Sequence, residues 1–386
     1  MAHVYGIDGR GEALLSGAGA RVRAVAAANA ADVDAKGRFP DEARAALGKE
    51  GLLGLTIDAA HGGSACGPAE FCALVEDLAS ACGSTAMVYV MHVAAGAAIA
   101  ASTTLADRSA LLRAMAKGEH LTTLAFSEAG SRSQFWVPMS KLVASGDGYS
   151  TSATKSWVTS AAKADSYVST ALSPDGTAPT LHLVRKGAKG SRITGSFQGL
   201  GLRGNDSAPV ALESLTVAKG DLVSPLGGGV GPILEVVLPW FAIGTAAMSN
   251  GLCRAALSAT IGHATSAGFV HTGTKLRDLP QIRARIAEMS ATTELSRSLL
   301  GRTIAAMGTG APDTPLLVLQ SRLAALEAGV EVTDLAMKAC GGAAFSRQLG
   351  VERVFRDARA GWVMAPTVDH LQDFVGRALT GMPLFG

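Results

Sequence analysis

Charge and aromatic rings are scarce in this chain. Of its 386 residues, 17% are Asp, Glu, Lys or Arg, 5% are Phe, Trp or Tyr, and the net charge is +2. No Lys/Arg cluster with interleaved aromatics occurs, which removes the footprint of a nucleic-acid binder. The five cysteines (Cys66, Cys72, Cys82, Cys253 and Cys340) form no C-x-x-C pair and no His/Cys metal spacing, so they read as buried thiols of a reducing cytoplasm. No Ser/His/Asp triad, internal repeat or low-complexity linker is visible. The opening MAHVYGIDGRGEALL lacks a basic stretch followed by an apolar run, so no signal peptide is expected. Two uncharged stretches, Ala86–Ala106 and Val236–Cys253, are rich in small and hydroxylated residues, and the second carries Pro239. They read as buried core helices rather than membrane spans.

What the chain has in abundance is Ala and Gly, which favours closely packed helices with small contact residues. A chain this long divides into lobes. Residues 1–120 read as helices over Ala13–Ala35, Asp41–Lys49, Pro68–Ala81, Ala86–Ala101 and Asp107–Lys117. Residues 121–226 read as strands: Leu121–Phe126, a Gly146-Asp147-Gly148 turn, Tyr149–Thr151, Lys155–Thr159, Tyr167–Leu172, Leu181–Val184 and Val210–Val217. Residues 227–386 return to helix after Gly227-Gly228-Gly229. There Leu316, Leu319, Leu323, Leu326 and Val330 form a stripe suited to a helical bundle, with Ile282, Ile286 and Met289 on the preceding helix.

The central segment carries the chemistry. A hydroxyl-dense loop, Ser127-Glu128-Ala129-Gly130-Ser131-Arg132-Ser133, ends the first strand, and a lone Trp157 flanked by Lys155 and Thr159 sits on a later one. Small residues let backbone N–H groups approach a phosphate or ring edge, and an indole offers a stacking face. Gly199-Leu200-Gly201-Leu202-Arg203-Gly204 is formally GxGxxG. It leads into Pro209 and more strand instead of a helix, which argues against a dinucleotide fingerprint.

Phe126–Ser133 paired with Lys155–Ala161 resembles the flavin-binding β-domain of the acyl-CoA dehydrogenase family. Gly51-Leu52-Leu53-Gly54-Leu55 before Gly62-Gly63, the LGLRGND loop, Gly341-Gly342 and Val351–Arg359 (VERVFRDAR) are similar to further family segments, in the family's order. The resemblance covers essentially the whole length. It implies an α+β fold with an N-terminal helical domain, a central β-domain and a C-terminal four-helix bundle. It also implies FAD, an acyl thioester substrate carried on CoA or a carrier protein, and a homo-oligomer, dimer or tetramer.

By position, the resemblance assigns Phe126, Ser127 and Ser133 to the flavin's pyrimidine edge and pyrophosphate, with Ser133 also near the acyl thioester. It sets Trp157 over the flavin face and Thr159 near N5. From a neighbouring subunit, Gly341 and Gly342 would approach the adenosine and Thr367 the pyrophosphate. Three departures stand out. The family's proton-abstracting glutamate falls at Ala365, within Met364-Ala365-Pro366-Thr367, and the position used by some branches falls near Phe241. A methyl or phenyl group accepts no proton. The family's Arg-x-x-Phe-Gly is replaced by Phe269–Leu276, where Lys275 or His271 would supply the charge. Lys338 stands where relatives carry glutamine.

Phe241, Met364, Ala365 and Ser133 are thus the expected substrate wall, and Phe135, Trp136 and Trp240 are further aromatics suited to a compact acyl group. His92 reads either as a satisfied core histidine or as a histidine near the flavin, as in oxygenase-type relatives. Asp369 and His370 read either as a relocated base or as a helix start capped by Thr367 or Asp369. Glu128 reads as a structural part of its loop. The function expected is FAD-dependent oxidation of an acyl thioester with O2 as oxidant, as an oxidase or monooxygenase. The alternatives are a dehydrogenase with a relocated base serving an electron-transfer flavoprotein, and a non-catalytic relative.

Overall fold

The computed structural model describes residues 3–385. Six helices come first: α1 (Gly9–Leu14), α2 (Ala20–Lys36), α3 (Asp41–Lys49), α4 (Pro68–Ala81), α5 (Gly83–Ala101) and α6 (Arg108–Ala116). The single helix expected over Ala13–Ala35 is interrupted by a π-helical turn at Leu15–Gly19, which shifts the phase of the buried face. α5 is apolar all round and lies inside the fold, with nearly every residue from Gly83 to Ile99 buried. Apolarity on every face is the signature of a core helix.

Seven strands follow: β1 (Thr122–Ala125), β2 (Val143–Ser145), β3 (Gly148–Val158), β4 (Ser166–Leu172), β5 (Pro179–Arg185), β6 (Ser191–Ile193) and β7 (Ala208–Val217). They make two sheets, ordered β1-β4-β5 and β2-β3-β7-β6. β1 runs parallel to β4, and every other pairing is antiparallel. Leu142, Val158, Tyr167, Val184, Leu212, Leu215 and Val217 fill one core of this region. The two short strands expected around Thr151 and Lys155 are one strand, β3, carrying two register shifts against β7.

The chain then forms α7 (Leu238–Ser266), entered by a π-helical turn over Pro232–Val237, α8 (Pro280–Thr309), α9 (Thr314–Cys340), α10 (Gly342–Phe345), α11 (Val351–Ala358), α12 (Ala360–Val363) and α13 (Val368–Leu379). The buried face of α9 runs through Val318, Ala325, Gly329, Val332 and Ala336, so Leu316, Leu323 and Val330 of the expected stripe lie at its half-buried border. Small residues win this face because α7 approaches closely. A Cβ on Gly329 would stand 2.4 Å from Ser249 Oγ, and Ser249 Oγ donates to the Ala325 carbonyl at 2.7 Å. The fully buried Glu76 of α4 joins lobes distant in sequence. It pairs with Arg254 of α7 at 2.7 Å and Arg297 of α8 at 3.0 Å, and accepts from the Tyr5 hydroxyl.

Candidate functional site

Where the helical layers meet the open ends of the strands there is a cleft of about 690 Å³. Its walls come from α5 (Met87, Met91), the loop after β1 (Phe126 to Ser133), the end of β3 (Trp157, Thr159), the Phe197–Leu202 loop, the start of α7 (Phe241) and the segment from Arg356 to Ala365.

Two motifs separated in sequence are stitched together here. Ser156 N–H donates to the Ser127 carbonyl at 2.9 Å, and Ala129 N–H to the Thr154 carbonyl at 3.0 Å. Beneath them the fully buried Lys155 Nζ lies 2.6 Å from Glu128 Oε1 and 2.6 Å from the Thr170 carbonyl. Glu128 also accepts from Ser140 N–H at 2.7 Å, Ser140 Oγ at 2.6 Å and Met139 N–H at 3.0 Å. Burial pulls the Lys155 pKa below its ordinary value, and the Glu128 charge opposes that shift. A buried ion pair adds little net stability but fixes geometry when all its bonds are made. This one holds the hydroxyl-bearing loop in register with β3.

The register shift after Lys155 decides where Trp157 points. Lys155 pairs with Val210 and Val158 with Ala208, so β3 spends one more residue than β7. Such a bulge turns a side chain out of the sheet. Trp157 takes φ +55° there and is 65% exposed, an unusual state for a large aromatic. Its one close ring neighbour among the described residues is Phe197, edge-on at 6.2 Å. Arg132, Ser133 and Leu202, which also line the cleft, have φ of +47°, +68° and +49°. Strained backbone of this kind costs about 1–3 kcal/mol per residue and persists where the surroundings enforce it, commonly at ligand sites.

The donors suit a flat ring joined to phosphates. Ser127, Ser133 and Thr159 offer hydroxyls, and Thr159 Oγ1 lies 2.9 Å from Ser207 Oγ. Arg132 is exposed and makes no ion pair among the described residues. A Cβ on Gly201 would stand 2.3 Å from the Arg356 carbonyl oxygen, so the glycine loop and α11 touch backbone to backbone. Leu202 N–H donates to Asp357 Oδ1 at 2.6 Å, and burial pushes the Asp357 carboxyl up to about 7. Arg356 is held by Asp34 at 2.6 Å and Glu352 at 2.7 Å. Arg359 stacks on Phe355 and pairs with Asp334. An exposed indole, a hydroxyl-bearing loop and cationic rims around one cleft fit FAD.

Of the residues expected from sequence, Phe126, Ser127, Ser133, Trp157, Thr159, Phe241, Met364 and Ala365 all line this cleft. Phe126 is buried and stacks on Phe135 at 6.3 Å. Other expectations need correcting. His92 is outside the cleft and wholly buried: Nε2 donates to the Leu53 carbonyl at 2.9 Å, and Nδ1 accepts from Thr122 N–H at 3.2 Å. Burial lowers its pKa to about 4, so it is a core histidine joining α5 to β1.

Asp369 and His370 also lie off the cleft. Thr367 caps α13 by accepting from His370 N–H, and the His370 ring stacks on Phe374 and meets Trp136 edge-on. Trp136 packs among these α13 aromatics, and Trp240 packs edge-on against Phe71, so neither lines the cleft. Lys275 is exposed, its Nζ donating to the Thr265 carbonyl at 2.8 Å. Gly341, Gly342 and Thr367 likewise stand away from the cleft of their own chain.

Sequence reasoning missed Met87, Met91 and Phe197 as wall residues, since none sits in a telling pattern, and it read Arg359 only as part of the VERVFRDAR motif without placing it at the cleft. It also missed Arg322 of α9, which is fully buried. Its signal was present: Arg322 lies three residues after Leu319 and four before Leu326, a charge on an apolar stripe.

Residues 227–379 match the family model described as acyl-CoA dehydrogenase, C-terminal domain, and residues 11–119 match the acyl-CoA dehydrogenase, N-terminal domain. The chain is 27% identical over 338 residues to a probable acyl-CoA dehydrogenase, YngJ, of Bacillus subtilis, covering 86% of this chain and 88% of that one. It is 26% identical over 358 residues to cyclohex-1-ene-1-carbonyl-CoA dehydrogenase of Geobacter metallireducens, covering 92% and 93%. The fold superposes on butyryl-CoA dehydrogenase from Megasphaera elsdenii with a TM-score of 0.91 at 20% identity, covering 97% of this chain and 99% of that one.

Proposed function

The chain belongs to the acyl-CoA dehydrogenase family of FAD-dependent acyl-thioester oxidoreductases, and from that premise we propose that it oxidises its thioester without the family's glutamate base and passes the electrons to dioxygen, as an oxidase or monooxygenase. One observation carries this reading. Among the described residues lining the cleft, Glu128 is the one carboxylate, and both its oxygens are committed to Lys155, Ser140 and Met139. The wall at Met364 and Ala365, where the resemblance expects the base, is apolar. His370 and Asp369 lie off the cleft, which disfavours a relocated base on α13.

The cofactor, when bound, supplies the two-electron redox chemistry. This chain's residues would do the rest. Trp157 would cover the ring, and the Ser127, Ser133 and Thr159 hydroxyls would bond its polar edge. Arg132 would meet a phosphate, while Met87, Met91, Phe135 and Phe241 would exclude water from the acyl group. Lys275, Gly341, Gly342 and Thr367 stand outside their own chain's cleft, which supports a role across a subunit boundary and hence a dimer or tetramer. The cysteines are all free thiols, in keeping with a cytoplasmic setting.

The test is anaerobic mixing of the yellow holoprotein with saturated acyl-CoAs, followed by admission of air. Rapid reoxidation with turnover is expected. Bleaching followed by slow reoxidation assigns the electrons to a protein acceptor instead, and a protein that cannot be loaded with FAD is a scaffold.

A further inference from the structure

Arg322 has no carboxylate partner. Its side chain is fully buried on α9, and it forms no ion pair among the described residues. Nη2 donates to the Met364 carbonyl at 3.1 Å, while Nε and Nη1 are buried with no hydrogen-bond partner. The guanidinium carbon lies 4.8 Å from the centre of the Phe241 ring. A buried arginine nearly always finds an anion, because an uncompensated buried charge costs several kcal/mol. Here desolvation acts alone and draws the arginine down to about 9. A stacked phenyl ring and one carbonyl offset only part of that cost.

The location gives this orphan charge a meaning. Phe241 and Met364, the two groups that Arg322 touches, both line the cleft, and the next residue is Ala365. The guanidinium therefore stands one side chain behind the wall where a family member would carry its acid. Phe241 is only half-buried, and its ring both lines the cleft and packs against the Arg322 guanidinium.

We propose that Arg322 is the receptor for a carboxylate on the acyl group, so that the substrate is a thioester whose acyl chain carries a second, ionised carboxyl, admitted when the Phe241 ring turns aside. Nη1 keeps its N–H bonds free and Nη2 uses one of its two on Met364, so the end-on edge of the guanidinium can still offer a carboxylate two parallel donors. The missing anion is then supplied by the ligand, and a neutral acyl chain leaves the guanidinium unpaired. The choice of charged over neutral acyl groups follows from that penalty, since a site with buried donors rejects a ligand that cannot satisfy them.

This inference rests on the thioester reading, and the experiment separates the two. The FAD-loaded protein is titrated anaerobically with succinyl-CoA and glutaryl-CoA, with the corresponding monoamide thioesters and with butyryl-CoA, following the flavin absorbance. The expected result is affinity about tenfold or more higher for a carboxylate than for its amide. That preference should be lost in Arg322→Met and partly kept in Arg322→Lys. Phe241→Ala should strengthen binding of the carboxylates without strengthening that of butyryl-CoA. Equal affinity for acid and amide in the wild-type protein overturns the role of Arg322 while leaving the thioester reading intact, and does so even if the variants fail to fold. A preference that survives in Arg322→Met also overturns it. Absence of any response to every thioester rejects both readings together.

Discussion

Lys155 and Glu128 are joined in a buried ion pair, Nζ to Oε1 at 2.6 Å, that ties the loop after the first strand to the strand bearing Trp157. This contact reinforces the backbone hydrogen bonds that hold the two adjacent segments together at the cleft. Removing one partner leaves the other as an unpaired buried charge. Glu128→Ala is expected to cost about 3–5 kcal/mol in chemical denaturation and to release FAD on gel filtration. Replacing both by apolar residues of similar size should recover much of the stability but not FAD retention, because the loop loses its register.

Trp157 is mostly exposed and in a left-handed backbone conformation, so the fold itself gains little from it. Trp157→Gly should leave apoprotein stability unchanged or raise it by about 1 kcal/mol as the strain is relieved. FAD affinity, followed by flavin fluorescence, should fall by about tenfold for want of the stacking face. A large loss of apoprotein stability would mean the indole serves the core.

His92 is neutral in the folded chain, with its pKa drawn down to about 4 from 6.5. The folded state therefore binds fewer protons than the unfolded state between those values. The stabilisation is complete above pH 6.5 and is lost as the pH falls through 4. His92→Asn should cost about 1–3 kcal/mol at neutral pH through the disrupted bonds to Leu53 and Thr122. It should lose less further stability than the wild type between neutral pH and mild acid, and its FAD content should be unaffected.

Asp357 works in the opposite direction. Its carboxyl is pushed up to about 7 from 3.8, so the folded state binds the extra proton between those values, and that stabilisation is lost as the pH rises through 7. Asp357→Asn keeps an acceptor for Leu202 N–H and removes the titration. Stability of this variant, measured from weakly acidic to weakly alkaline pH, should exceed that of the wild type increasingly as pH rises, by up to about 4 kcal/mol.

Ala365→Glu would restore a carboxylate to the apolar wall. If the thioester lies in the family's pose, anaerobic bleaching by a saturated acyl-CoA should be faster in the variant than in the wild type, with reoxidation in air slower than the wild type shows. Silence, with the variant folded and yellow, would count against that pose.

Local patterns made much of this protein legible. The bounds of α3 and α4 follow from acidic or proline starts and helical spacing. The loop and Trp157 motifs pointed to residues that line one cleft, because their residue types reflect what a flat, phosphate-bearing ligand requires. The Thr367 cap was one of two readings available for the start of α13, and a helix start needs only a few neighbouring residues to declare itself. The orientation of Trp157 was not legible, since the extra residue on β3 exists only in relation to β7.

The sequence by itself determined the order of helical, strand and helical lobes, the cofactor motifs and the absence of an acid at position 365. Tertiary structure alone decided which buried polar groups found partners. His92 was captured by two backbone groups from other segments, Glu128 by Lys155, and Arg322, among the described residues, by none that carries a negative charge. Those outcomes depend on pairings between residues far apart in the chain. A polar side chain's role is set by what it meets once water has been excluded, and periodicity carries no record of that.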